Sequence, residues 1–180
     1  VKNGAMLAVE EINNAGGVNS VKINFQMYDD KHDQTLVAAG YSAQLEAGMQ
    51  MSIGCVTTKP CLQYKKLSKE NNVFFITPSA TADAVTEYDN AFQMCFSDST
   101  QGSATAKYLQ ELPDDQKPEK VGVFYKSDDD YSKGIYNKFM NELNNKWNGS
   151  DIVVQAFDDD NKTSFTSQIA ALKECDFVFM

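Results

Sequence analysis

The sequence predicts an α/β protein, with parallel sheets flanked by helices on both faces and arranged in two lobes. Three observations carry this expectation. Helical and strand-like apolar spacing alternate regularly along the 180 residues. The segment PDDQKPEK, residues 113–120, interrupts the pattern with two prolines and mixed charge, and the same alternation resumes beyond it. Several strands also run out into short polar loops, as they do where a parallel sheet presents its carboxyl ends to a ligand.

The elements follow in order. Ala5, Ala8, Val9 and Ile12 share a helical face, and Gly16-Gly17 supplies the left-handed stop, so residues 3–15 form the first helix. Val21, Ile23, Phe25 and Met27 alternate with polar neighbours over 21–28, which predicts a strand with unequal faces at a sheet edge. A helix carrying Val37, Tyr41 and Leu45 ends at Gly48. Then come a strand at 49–54, a helix from Pro60 to Glu70, a strand at 73–77, a short helix near 82–87 and a strand at 91–96. From Gln101 a helix presents Ala104, Tyr108 and Leu112. The second half continues with a strand at 121–125, a helix bearing Ile135, Phe139, Leu143 and Trp147, a strand at 152–157, a helix at 164–174 and a strand at 176–180. Strand–helix–strand repetition implies right-handed parallel crossovers. The break at 113–120 divides the chain into a first lobe, 1–118, and a second, 119–180.

Charge and motifs narrow the function. A formal charge of −9 and a pI near 4.5, with no basic stripe, argue against nucleic acid or an anionic membrane surface as partner. No apolar run approaches the ~20 residues of a membrane span. Cys55, Cys61, Cys95 and Cys175 contain no C-x-x-C pair and the single histidine is His32, so no structural metal or other cofactor is expected. Cys95 and Cys175 lie in apolar segments as small core residues, and Cys55 and Cys61, which flank a loop, are the candidates for a disulfide or an exposed thiol. G-x-G-x-x-G, G-x-x-x-x-G-K-[ST] and G-x-S-x-G are all missing, so dinucleotide, nucleoside triphosphate and esterase chemistry lack their usual anchors. The stretch Asp29-Asp30-Lys31-His32-Asp33 reads as a solvated loop with a capping Asp. Asp128–130 and Asp158–160 read as acidic turns feeding helix N-termini rather than as calcium loops.

What remains is a set of loops at strand ends. GCVTTKPC, 54–61, offers Thr57 and Thr58 at the start of a helix, with Pro60 at an early helical position. TPSAT, 77–81, is built of side chains small enough to leave backbone groups open to approach. SDDDYSKG, 127–134, places Tyr131 beyond the break. Two anion-friendly loops on one lobe and an aromatic on the other describe a cleft for a small polar molecule. For the threonines ordinary N-capping is the competing role, and for Tyr131 it is local packing at a helix start.

Three stretches, NGAMLAVEEINNAGGVNSVKINFQMYDD, TPSATADAVTEYDNAFQMCFSDSTQGSATAKYL and DDDYSKGIYNKFMNEL, occur in an order that resembles the leucine/isoleucine/valine-binding proteins. That resemblance covers essentially the whole chain. It implies the type I periplasmic-binding-protein fold, with the second lobe incomplete, and an extracytoplasmic protein, periplasmic or a cell-surface lipoprotein, that closes on an amino acid of the branched-chain type or similar and delivers it to an ABC permease. It implies binding, not catalysis. Carried over residue by residue, Thr57 and Thr58 resemble the site of the ligand α-carboxylate. Ser79, Ala80 and Thr81 match the segment that takes the α-ammonium and carboxylate, and Tyr131 matches the aromatic of the second lobe. Cys55, Lys59 and Ser132 depart from the family's pattern, and no cysteine stands at Asp29-Asp30-Lys31 where some relatives carry a disulfide partner. These departures leave room for a ligand smaller or more polar than leucine.

A ligand-sensing domain of the same fold, attached to a receptor or regulator, is the alternative function, and a flavodoxin-like or nucleotide-dependent enzyme ranks behind it. The resemblance also implies a strand ahead of the first helix, lying between the strands at 21–28 and 49–54. The sequence opens inside that helix at Val1-Lys2-Asn3. The expectation is therefore a longer parent chain, or a slot filled by a rearranged strand order, a domain swap or dimerisation.

Overall fold

Each strand lies parallel to its neighbours, and the computed structural model, which describes residues 1–144 and 151–180, places the strands in two sheets. In chain order the elements are α1 (Lys2–Asn14), α2 (Gln34–Glu46), β1 (Met51–Ile53), α3 (Thr58–Asn71), β2 (Phe74–Thr77), a 3-10 turn (Asp83–Thr86), β3 (Ala91–Gln93) and α4 (Asp98–Glu111). A second 3-10 turn (Asp114–Gln116), β4 (Val121–Lys126), α5 (Asp130–Asn144), β5 (Ile152–Phe157), α6 (Thr166–Leu172) and β6 (Phe177–Phe179) complete them. Trp147, expected on the helical face of α5, lies outside the described residues.

The packing separates two compact units. One comprises residues 1–80 and 85–95, and the other residues 81–84 and 96–180. Helix α4 packs on α5 within the second unit, so the turn at 113–120 lies inside that unit.

In the first unit the sheet runs β1-β2-β3. One face buries Phe75 against Tyr64 of α3, which meets Tyr41 of α2 edge-on at 5.0 Å. Along a strand successive side chains alternate faces, and the opposite face carries Met51, Ile53, Phe74 and Phe92, all exposed. Helix α1 forms and stops at Gly16 and Gly17 with φ of 107° and 79°, as the sequence predicts, yet it buries no residue. The strand expected at 21–28 is not formed. Residues 22–28 carry no regular secondary structure, and the one ladder contact at the start of the segment is an isolated antiparallel bridge between Val18 and Val21. The alternating pattern is β-like, but a strand needs a neighbour to satisfy its backbone. Between this segment and β1 lies a cavity of roughly 500 Å³, lined in part by Val1, Met27, Tyr28, Ser52 and Ile53.

The second sheet runs β5-β4-β6. Val121 and Val123 of β4 join Ala106, Leu109, Phe139 and Leu143 in a buried core, with Phe139 stacked on Phe179 at 4.3 Å. Gly122 between them faces Leu172 of α6, so helices cover both faces of this sheet.

Acidic segments divide by context. Asp33 caps α2 by accepting the Thr35 N–H at 2.8 Å, and Asp130 opens α5. Asp158–160, expected to feed a helix, instead closes a turn on itself: Asp158 accepts the Asp160 and Asn161 N–H groups, and Asp159 takes the Lys126 ammonium.

Candidate functional site

The first group of site residues lies at the carboxyl ends of β1 and β2. There the Gly54 N–H prolongs the ladder to the Ile76 carbonyl at 3.0 Å, and the chain then leaves the sheet. Thr57 occupies the N-cap of α3 in an extended conformation, but its hydroxyl makes no cap. It lies instead 3.2 Å from Nδ1 of His32. Thr58 is the first helical residue and is buried, and Pro60 follows at the third, where a missing N–H costs little. The Cys55 carbonyl accepts both the Thr77 hydroxyl at 2.8 Å and the Cys61 thiol at 3.0 Å.

Thr77 thereby joins the two loops. Its oxygen also receives the Ala80 N–H at 3.1 Å and, at 3.4 Å, the Ser79 N–H. The small residues of TPSAT are expected to leave their N–H groups open, yet that of Ala80 is already engaged. Ser79 is exposed and Ala80 buried. The structure thus brings Thr57, Thr58, Ser79 and Ala80 to one end of one sheet.

Cys55 and Cys61 are free thiols. A hydrogen bond between the thiols, followed by burial, pushes Cys55 up, and the same bond lowers Cys61.

Thr81 and Tyr131 belong to the second unit. Thr81 is buried, and its carbonyl accepts the Asp98 N–H at 2.8 Å. Tyr131 stands in the first turn of α5 with 43% of its surface exposed. Ser132, which departs from the family's pattern, is used locally. Its hydroxyl accepts the Lys126 N–H at 2.9 Å, while its own N–H goes to Asp129 at 3.0 Å. Among the described residues no group of three or more His, Cys, Asp or Glu is placed to hold a metal ion, and no helix is long and apolar enough to cross a membrane.

Three residues around these positions do not stand out in the sequence. His32 reaches Thr57 because Lys31 and His32 both adopt positive φ, which the sequence of an acidic loop does not announce. Thr77 reads as the end of a strand and the start of TPSAT, with nothing in the sequence to give its hydroxyl a partner. Asp98 enters only as part of the resemblance.

Comparison with known proteins agrees with the arrangement of strands and loops. The family model described as periplasmic binding protein matches residues 1–180. The chain belongs to the periplasmic binding protein family. A Leu/Ile/Val-binding protein homolog of Brucella melitensis is 30% identical over 146 residues, 80% of this chain and 39% of that protein. The leucine-, isoleucine-, valine-, threonine-, and alanine-binding protein of Pseudomonas aeruginosa is 30% identical over 134 residues, 73% of this chain and 35% of that one. Among solved structures, the branched-chain amino acid transporter substrate-binding protein LivJ of Streptococcus pneumoniae, in complex with isoleucine, superposes with a TM-score of 0.85 at 26% identity, covering 98% of this chain and 50% of that one. The chain therefore spans about two fifths of the length of the Brucella relative and half that of the Streptococcus protein. The type I periplasmic binding protein fold inferred from sequence is the fold observed.

Proposed function

We propose that this chain is the ligand-binding part of an extracytoplasmic solute-binding protein that captures an amino acid, branched-chain or similar, for an ABC uptake transporter. Its likeness to the isoleucine-bound Streptococcus protein over 98% of its length supports this most directly. The loops at the ends of β1 and β2 add to that support. In this proposal Thr57 and Thr58 receive the ligand α-carboxylate, Ser79, Ala80 and Thr81 take the α-ammonium and carboxylate, and Tyr131 supplies an aromatic contact. Hydroxyl and N–H donors aimed at a charged group make hydrogen bonds roughly twice as strong as neutral ones. The role is binding without chemistry. The partner is a membrane permease, and the protein is periplasmic or anchored to the cell surface as a lipoprotein. The edge of β1 beside the cavity is where a second copy would pair, by dimerisation or strand exchange.

A thermal-shift screen against the natural amino acids tests this function. A ligand at 100 times its dissociation constant adds about 2.7 kcal/mol and shifts the midpoint by several degrees. No shift with any amino acid, together with tight binding of a flavin or nucleotide, would overturn it.

A further inference from the structure

Asp98 is the first residue of α4 and is 1% exposed, yet neither of its carboxylate oxygens has a hydrogen-bond partner. An aspartate at a helix start ordinarily meets backbone N–H groups or water. Here Ser97 already serves the Thr100 N–H, and the Asp98 carboxyl lies beside Gly134 of α5. Glycine makes that room: a Cβ at position 134 would stand 2.9 Å from Oδ2. The Asp98 N–H holds the Thr81 carbonyl at 2.8 Å. The Thr81 hydroxyl, also buried, lies against the carboxylate without completing an aligned bond. Two side chains thus bury three oxygens that are unpaired. Such groups are rare in folded proteins, and each calls for an explanation.

The charged surroundings of Asp98 are acidic. Asp83 of the 3-10 turn and Asp129 of the loop ahead of α5 both act on it, and Lys133 of α5 is paired with Asp130 at 3.3 Å. Burial first, and then these two carboxylates, hold the Asp98 carboxyl above the usual range, with the Thr81 hydroxyl opposing them. The charged groups that act on Asp98 are both acidic, Asp83 and Asp129.

We propose that Asp98 is a positioning residue: its carboxylate accepts a hydrogen bond from the Thr81 hydroxyl and so turns the Thr81 oxygen lone pairs toward the ammonium group of a bound amino acid. This rests on Thr81 being a ligand contact, as proposed above. A protonated Asp98 reverses the bond. It donates to the Thr81 oxygen, occupies a lone pair and removes the compensating charge. Affinity for an ammonium-bearing ligand therefore falls as pH drops through the raised Asp98 pKa and is constant above it.

The test is calorimetric titration of the protein with isoleucine from pH 4 to 8, or with whichever natural amino acid gives the largest thermal shift if isoleucine does not bind. Wild type and Asp98→Asn are compared, with 4-methylpentanoate, which has no ammonium, as control. Wild-type affinity is expected to fall tenfold or more toward pH 4. Asp98→Asn, whose amide oxygen still accepts a hydrogen bond from the Thr81 hydroxyl, is expected to bind about tenfold more weakly at pH 8 with a flat profile. The isoleucine affinity should depend on pH in wild type and not in Asp98→Asn, whereas 4-methylpentanoate, whose own carboxylate protonates in the lower part of this range, should bind wild type and variant alike at each pH. If Asp98→Asn does not fold, Thr81→Val carries the same expectation of a flattened profile. Binding that is equally pH-dependent in wild type and variant would overturn the role of Asp98 while leaving amino-acid binding intact. Failure of wild type to bind any amino acid would overturn the proposed function itself, and this role with it.

Discussion

The Thr77 hydroxyl donates to the Cys55 carbonyl at 2.8 Å across the ends of β2 and β1, and the same oxygen accepts the Ala80 N–H at 3.1 Å. Thr77 is fully buried, so water cannot replace either bond. Thr77→Val keeps the shape but takes the acceptor from the Ala80 N–H, at a cost of about 1–3 kcal/mol for a buried unpaired group, and leaves the Cys55 carbonyl with the Cys61 thiol as its remaining donor. Urea denaturation should show a loss in that range, largely restored by Thr77→Ser. Full stability in Thr77→Val would mean that the two loops hold together without this tie.

Tyr131 makes a contrasting case, because it is exposed and its removal should leave the fold alone. If it contacts the ligand, Tyr131→Ala speeds dissociation while the on-rate stays within about tenfold, as truncations at interfaces do. Stopped-flow traces with a collapsed on-rate and an unchanged off-rate would contradict this.

Element order was legible in the sequence because helical and strand periodicities are strong where a face is buried, as at Val37 and Tyr41 or Val121 and Val123. The segment 21–28 has an equally clear period of two and still forms no ladder. Periodicity reports which face a strand would bury, whereas a ladder depends on a partner. That Thr57, Thr58, Ser79 and Ala80 stand at one end of a sheet could be read because small and hydroxylated residues follow strands there. Thr77, His32 and Asp98 could not, since their roles arise from contacts between segments 22 to 25 positions apart in sequence or, for Asp98, from a glycine on another helix.

Asp159 offers a test by pH. The Lys126 ammonium at 2.8 Å and then that of Lys162 at 3.0 Å hold its carboxyl down to about 2. A depressed carboxylate stabilises the fold above its unfolded pKa of about 3.9 and loses that contribution as pH falls toward the folded value. Carbon-detected NMR should follow Asp159 titrating near pH 2, and Lys126→Met should move it upward. High salt should blunt the effect, since the cluster is exposed. Titration of Asp159 at the ordinary value in wild type would show that the lysines do not hold it.

Gly102 sets the approach of α4 to α5. A Cβ at that position would lie 2.5 Å from the Ile135 carbonyl oxygen and 2.8 Å from the Phe139 nitrogen, both backbone atoms of the facing helix that cannot swing aside. Two effects of Gly102→Ala then oppose each other. Helix propensity alone favours alanine by about 1 kcal/mol, while forcing two packed helices apart costs typically about 1–3 kcal/mol or more. The core behind the contact includes Ala106, Leu109 and Phe139, so separation of the helices also opens apolar packing, and the steric cost should win. Gly102→Ala is therefore expected to lower the unfolding free energy, whereas Ala104→Gly, on the exposed face of the same helix, should lower it by propensity alone, by about 1 kcal/mol. Denaturation curves of the two variants settle the matter: a Gly102→Ala protein more stable than wild type would show that the helices are not in contact at this glycine.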